Sequence, residues 1–303
     1  MSAFNLARKV TVRLRRLPGT YPVLNALRKR AYSAGVVTVS DFDGTLRMEL
    51  DLGEHMASQI FWFGYYSRDV LFAMARMLTP GSVFLDVGAN IGEVSLFAAK
   101  RVGEAGSVLA FEPVASTAER LRRNLALNDL RNVKVIEMGI SDQVREQQLY
   151  VSAASFDDGS RHGGLGTLYA SGARSSPVGA VKLTTLDALL SAGWIGRVDG
   201  IKLDIEGAEL PALVGARQVL KSFRPWLVVE IGKETCAAAG YEPREIFDFL
   251  AALDYAAHLI GRKGKLHPAS SEAMGQWQNV LFIPRSGGQG VNGRAANGHP
   301  GVG

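Results

Sequence analysis

The chain has 303 residues, enough for one sizeable α/β domain with extensions or for two small domains. Hydrophobic residues make up 47% and charged residues 21%, which excludes a disordered or low-complexity chain. One cysteine, Cys236, excludes an internal disulfide and a zinc cluster built on cysteines, and points to the cytosol.

The net charge of +5 is local. Residues 1–40 carry eight Lys/Arg and no acid, which leaves 26 basic against 29 acidic residues in the rest. A mildly acidic body gives no reason to expect a nucleic-acid partner. No apolar run approaches the ~20 residues a membrane span needs. Arg8, Lys9 and Arg13 interrupt any secretory core. The expectation is a cytoplasmic protein, soluble or peripheral to the inner face of a membrane.

Residues 1–34 read as one or two short basic helices, with Val10, Leu14 and Leu17 at i, i+4, i+7 and arginines on the other sides. Two readings stand: a solvated basic helix packed on the domain, or an amphipathic arm on an anionic membrane surface. Residues 36–52 predict a β-hairpin turning at Asp43-Gly44, and residues 57–78 a helix rich in aromatics. The chain then alternates. Strands are expected at 83–87, 108–111, 133–138, 199–203, 226–231, 255–259 and 280–283, with helices at 92–102, 116–128, 209–223 and 243–253. Residues 152–180, rich in Gly and Ser, read as a long loop of functional length. This order predicts an α/β fold, Rossmann-like, with a mainly parallel seven-stranded sheet covered on both faces. The division expected is an N-terminal arm, hairpin and helix over 1–78, a catalytic domain over 79–285 and a disordered tail over 286–303.

Sites in such sheets lie at the carboxyl ends of the strands. The first strand ends Asp86-Val87-Gly88-Ala89-Asn90-Ile91-Gly92, whose glycines permit a tight turn into a helix. A dinucleotide loop needs glycine where Asn90 stands, so that a pyrophosphate can approach. Asp86 would repel a phosphate but would receive an ammonium group. S-adenosylmethionine has an ammonium, a sulfonium and a ribose, and no phosphate. Glu112 follows Gly88 at the spacing expected of an acid that accepts two ribose hydroxyls. Ser141 and Asp142, after the third strand, are placed to border an adenine edge.

The runs D-V-G-A-N-I-G, F-E-P (111–113), I-K-L-D-I-E-G-A-E-L-P-A-L (201–213) and W-L-V-V-E-I (226–231) resemble, in order and spacing, the FkbM family of methyltransferases. The resemblance implies a class I methyltransferase fold, S-adenosylmethionine as donor, and O-methylation of a sugar or other secondary-metabolite hydroxyl. It covers roughly residues 78–232. Gly64-Tyr65-Tyr66-Ser67-Arg68 departs from the family, many of whose members carry a glutamate there.

Methyl transfer to an alcohol needs alignment and a proton acceptor. Strand alternation puts Lys202 and Asp204 on one side of the fourth strand's end. Asp204 is the expected base or orienting group, Glu206 assists, and Lys202 tunes the charge. Glu209, inside the next helix, is read as structural. Asp204 and Glu206 are hard oxygen ligands that Glu230 could join, but an incomplete set, so no metal is expected. Two rival readings stand beside this one. One is a non-catalytic binding or interaction protein on this fold. The other is a haloacid-dehalogenase-like phosphatase, suggested by Asp41-Phe42-Asp43-Gly44-Thr45.

Overall fold

The computed structural model describes residues 3–15, 17, 19–30, 35–151, 159–161, 166–172 and 175–285. The expected C-terminal tail lies outside them. The N-terminal arm forms α1 (Ala3–Leu14) and α2 (Tyr21–Arg30). Its stripe is inverted relative to a helix packed by its apolar side. Val10, Leu14 and Leu17 are exposed, whereas Arg8 is 3% exposed. The Arg8 guanidinium donates to the carbonyls of Ile60 and Phe61 and pairs with Asp41 at 2.7 Å. Those carbonyls face the arm, so a planar multiple donor is the side chain that fits there.

The hairpin forms as expected from β1 (Val36–Phe42) and β2 (Leu46–Asp51). The helix expected over 57–78 is two, α3 (His55–Phe63) and α4 (Arg68–Met74), interrupted at Gly64. Gly64 N–H closes on the Ile60 carbonyl and the chain leaves the helix axis.

The alternating region supplies β3 (Val83–Val87), α5 (Glu93–Val102), β4 (Ser107–Phe111), α6 (Ala115–Ala126) and β5 (Val133–Ile136). After β6 (Gly139–Ile140), β7 (Arg145–Val151), β8 (Gly166–Thr167) and β9 (Ser176–Thr184) come α7 (Leu186–Ser191) and β10 (Gly200–Leu203). The expected helix at 209–223 breaks at Gly215 into α8 (Glu209–Val214) and α9 (Arg217–Phe223). Then follow β11 (Trp226–Gly232), α10 (Lys233–Ala238), α11 (Pro243–Ala251), β12 (Tyr255–Ile260), β13 (Leu266–Pro268) and β14 (Trp277–Pro284).

The main sheet has eight strands, ordered β13-β12-β14-β11-β10-β3-β4-β5, rather than seven; the short β13 edge strand is the addition. β11, β10, β3, β4 and β5 run parallel, and β14, β12 and β13 are antiparallel. Along β3, Leu85 and Val87 face one core and Phe84 the other, as strand alternation requires of a sheet covered on both sides. A third core joins Leu24, Met48 and Ile60 of the N-terminal elements to Ala89 and Leu121. The chain runs from β3 outward to β5, then returns to β10 on the other side. This reversal opens a crevice at the carboxyl ends of β3 and β10.

The long-loop expectation is corrected where residues are described. Within 152–180, β8 and the start of β9 belong to a four-stranded sheet ordered β6-β9-β7-β8. Residues 152–158, 162–165 and 173–174 lie outside the described set. β7 and β9 are mostly half-buried or exposed, so little apolar alternation marked them.

Candidate active site

At the end of β3 the backbone turns at Gly88, with φ 84°. A Cβ on Gly88 would sit 1.9 Å from the carbonyl oxygen of Asp204. Only glycine fits there, because the loops leaving β3 and β10 lie back to back. Gly92 (φ 99°) serves a different end. Its Cβ would fall 2.4 Å from Leu121 Cδ1, so it admits close packing between α5 and α6. Gly88 and Asn90 line the crevice; Gly92 does not.

The loop's amides are already taken. Gly88 and Ala89 N–H donate to the Phe111 carbonyl at 3.0 Å, and Gly92 N–H to Ala89 at 3.0 Å. Asn90 N–H donates to Glu112 at 3.0 Å, and Ile91 N–H to the Asn90 side chain at 2.7 Å. No nest of free amides is left for a pyrophosphate.

The crevice is a cavity bounded by the ends of β3, β4 and β10 at Val87, Phe111 and Asp204. Glu112 lines it, 4% exposed. Its two oxygens accept from Asn90 N–H and Val114 N–H at 3.0 Å each, and each keeps a second lone pair. Burial pushes Glu112 up to about 7, against the pull of those two amides. Gly139 and Ile140 form the adjoining wall. Ser141 and Asp142, expected to border it, do not line the cavity. Ser141 Oγ donates to Asp142, and Asp142 also pairs with Arg145 at 3.1 Å, so both are engaged with each other and with the edge of β7.

Asp86 lies behind the wall rather than in it. It is fully buried, and Ser95 Oγ donates to its Oδ2 at 2.6 Å while Oδ1 has no partner. Burial raises its carboxyl above the ordinary aspartate value, opposed by Lys202, its register neighbour on β10.

Lys202, Asp204 and Glu206 come together at the end of β10, and all three line the cavity. Lys202 Nζ pairs with Asp204 Oδ2 at 2.8 Å; the lysine side chain is 5% exposed and the aspartate 22%. Although burial opposes the charges, the pairing raises Lys202 and holds Asp204 below its usual range. Glu206 occupies a left-handed conformation, φ 54°, followed by Gly207 at φ 106°. Thr167 Oγ1 donates to the Glu206 carbonyl at 2.7 Å. Glu209, read as structural, is the clamp that holds this turn. It accepts from Ile205 N–H and Gly207 N–H at 2.9 Å each and sits at about 7 because of burial.

Three lining residues, Glu93, Tyr66 and Ser67, were given no site role by the sequence, and Glu230 was named there only as a further oxygen ligand. Glu93 lines the cavity and accepts from Tyr66 N–H (2.6 Å) and Ser67 N–H (3.0 Å); burial lifts it to about 7. Its signal was an acid directly after Gly92. Tyr66 and Ser67, in the segment that departs from the family, also line the cavity. Glu230 hydrogen-bonds Asp204 and is raised well above the glutamate range by burial and by that neighbour. Ligand oxygens of Asp204, Glu206 and Glu230 lie within 4.8 Å of one another, with Lys202 as a cation built into the group.

The residues of the phosphatase-like segment are engaged elsewhere. Asp43 pairs with Arg101 at 2.8 Å and Lys100 at 3.3 Å and accepts from Tyr65, at the turn of the hairpin. Asp41 pairs with Arg8. His162 lies outside the described residues, and neither His258 nor His267 lines the cavity.

The cavity wall holds Glu93, Glu112, Asp204 and Glu206 against one cation, Lys202. An acidic wall with no free amides suits a cationic nucleoside and opposes a phosphate. Fold, loop and Glu112 together define the class: an S-adenosylmethionine-dependent methyltransferase. Residues 86–257 match the methyltransferase FkbM domain, and the chain belongs to that family.

It is 31% identical over 194 residues to the methyltransferase sdnD of Sordaria araneosa, covering 54% of this chain and 71% of sdnD. It is 25% identical over 214 residues to the hexuronic acid methyltransferase AglP of Haloferax volcanii, covering 70% and 77%. The AMB antimetabolite synthetase AmbE of Pseudomonas aeruginosa is 29% identical over 222 residues, but the chain spans only 10% of its length. An FkbM methyltransferase structure from Methylobacillus flagellatus aligns over 87% of this chain and 58% of its own, with TM-score 0.41 and 16% identity.

Proposed function

We propose that the protein transfers a methyl group to a hydroxyl of a sugar, in a glycolipid, a polysaccharide or a glycosylated secondary metabolite. The observation that carries this reading is Asp204, an ionised and partly exposed carboxylate fixed by Lys202 on the wall that also holds Glu112. The name of the relative AglP points to sugars as well.

When bound, S-adenosylmethionine supplies an electrophilic methyl group on its sulfonium. Glu112 would accept the ribose hydroxyls, and Asp86, buried behind the wall, would add negative charge on the side of the ammonium group. Asp204 hydrogen-bonds the acceptor hydroxyl, orients its lone pair and takes its proton. A carboxylate held below its usual range is a weak base. That suffices, because the hydroxyl becomes strongly acidic as its oxygen gains a third bond. Lys202 keeps Asp204 ionised at rest, and Glu230 donates a hydrogen bond that keeps the carboxylate in place.

The arm has a place in this reading. No described helix is long and apolar enough to cross a membrane. Val10, Leu14, Leu17, Val23 and Leu27 are exposed beside Lys9, Arg13, Lys29 and Arg30. Such a face suits the interface of an anionic membrane carrying lipid-linked glycans. Deleting residues 1–34 should abolish sedimentation with phosphatidylglycerol vesicles; unchanged sedimentation would remove the membrane role.

The reaction is tested with S-adenosylmethionine labelled with ¹³C in its methyl group and a panel of neutral and acidic oligosaccharides. A new O-methyl resonance that Asp204→Asn removes is the expected result. Methyl transfer only to nitrogen or carbon acceptors would overturn it.

A further inference from the structure

We infer that a second cleft, which adjoins the methyltransferase cavity at Tyr66 and Ser67, is the acceptor site and is built for an anionic sugar. The inference rests on the sugar-hydroxyl reading above and names the acceptor's class. Tyr66 and Ser67 line both spaces. A substrate lying in the cleft would reach the wall that carries Asp204 by passing Tyr66 and Ser67.

Arg15 and Arg68 line the cleft. Both are held by aromatic faces rather than by carboxylates. Arg15 lies 4.2 Å over the Tyr21 ring and 5.1 Å over Phe63; Arg68 lies 5.1 Å over Phe72. Among the described residues neither forms a salt bridge, and the Nε of Arg15 is buried without a partner. A guanidinium stacked on a ring is fixed in direction while its N–H fork stays available for a carboxylate or phosphate. An adjoining hollow brings Arg262 and Lys263 beside the same two arginines. Asp69 lines the cleft as well and accepts from the Lys263 amide at 2.8 Å, one carboxylate against Arg15, Arg68, Arg262 and Lys263.

The remainder of the wall fits a sugar. Trp277 is half exposed at the cleft and offers an apolar face for ring C–H groups. Next to it, Gln278 has a buried side-chain oxygen with no partner, an acceptor for a hydroxyl. Aromatic face, hydroxyl acceptor and guanidinium pair are together the recognition set of a sugar that carries a carboxylate or a phosphate.

The test is calorimetric titration of the full chain, saturated with S-adenosylhomocysteine, with trigalacturonate, glucose 6-phosphate and neutral maltotriose. At low salt an anionic sugar should bind at least about tenfold tighter than maltotriose, and 0.5 M NaCl should remove that preference. Trigalacturonate and glucose 6-phosphate distinguish the carboxylate from the phosphate. Arg68→Gln and Arg15→Gln should each weaken anionic-sugar binding at least about tenfold, and Arg197→Gln, on the exposed surface, should not. Equal binding of charged and neutral sugars, no binding of either anion, or indifference to Arg68→Gln would overturn the assignment. S-adenosylhomocysteine affinity reads the other layer. Intact affinity with no anion preference removes the cleft assignment alone, whereas no affinity in the folded wild type removes the methyltransferase reading itself.

Discussion

The loops that leave β3 and β10 are built in opposite senses, although they touch at Gly88 and the Asp204 carbonyl. The first, Gly88–Gly92, puts backbone against the cavity and has its amides satisfied by Phe111, Glu112 and its own residues. The second, Asp204–Gly207, puts side chains into the cavity and has its backbone tied behind by Glu209, Thr167 and Tyr241. A surface without competing charge suits recognition of a nucleoside. A turn strained to aim carboxylates suits chemistry. Each non-glycine residue in the left-handed region, Asn90 in one loop and Glu206 in the other, is held by such a tie.

If the loops divide the work in this way, substitutions should separate turnover from binding. Asp204→Asn should produce the largest loss, lowering kcat by about 10²–10⁴-fold, the usual contribution of a positioned proton acceptor. Affinity for S-adenosylhomocysteine should change by less than about threefold. An equal loss of binding would merge the two roles. Gly88→Ala should act on the fold and on binding together. The added carbon meets the Asp204 carbonyl at 1.9 Å, which should cost roughly 3 kcal/mol or more and lower Tm by about 6–12 °C. Gly103→Ala is its control. That glycine has φ 65° and ψ −172° with open space around it, so only about 1–3 kcal/mol should be lost, to backbone strain.

Glu112 connects binding to pH. Its ordinary value is 4.5 and its value in the folded chain about 7, so the unliganded protein binds more protons than the unfolded chain between those limits. The stability this gives is fully present below about pH 4.5 and is lost as pH rises through about 7. Glu93 and Glu209, also at about 7, add to the same trend. Tm of the unliganded protein should therefore fall between pH 5.5 and 8. Acceptance of ribose hydroxyls requires the ionised form, so affinity for S-adenosylhomocysteine should rise over that range and level off above about 7. Glu112→Gln should weaken binding at pH 8 by about 10–100-fold, the contribution of charged hydrogen bonds, and flatten the pH dependence. A pH dependence that survives the substitution would move the titration to another group.

The backbone loop was far more legible in the sequence than the side-chain loop. A glycine after an apolar strand, with an acid 24 residues later, is a local pattern with one geometric outcome. Gly88, Asn90 and Glu112 accordingly line the cavity, and the five parallel strands fell where apolar runs placed them. Gly92 was read by the same rule, yet its reason is Leu121, a contact from another helix. Ser141 and Asp142 were assigned from chain position, one step past the residues that form the wall, because the third strand stops at Ile136 and a short separate strand, β6, supplies the wall at Gly139 and Ile140. Lys202, Asp204 and Glu206 were found from strand alternation. Their partners Glu230, Glu93 and Tyr66 arrive from β11, α5 and the link between α3 and α4, and no local spacing encodes such convergence. The sheet of β6 to β9 escaped because its strands are wet on much of their surface, so period-2 alternation is weak.

That second sheet still reaches the chemistry, through one hydrogen bond. Thr167 on β8 donates to the carbonyl of Glu206 at 2.7 Å and accepts from Tyr169 N–H at 3.2 Å. Thr167→Val keeps the shape and removes both contacts. The Glu206 turn retains Glu209 and the Tyr241 hydroxyl, which donates to Gly207 at 3.0 Å. The loss should therefore be about 1 kcal/mol, the net worth of one such bond, read as a roughly fivefold fall in kcat with S-adenosylhomocysteine affinity unchanged. A fall as large as that of Asp204→Asn would mean that the turn is strained enough to depend on every tie. No fall would mean that Glu209 alone fixes it, and that β6 to β9 bear on the acceptor side of the cavity without contributing to the aim of Asp204.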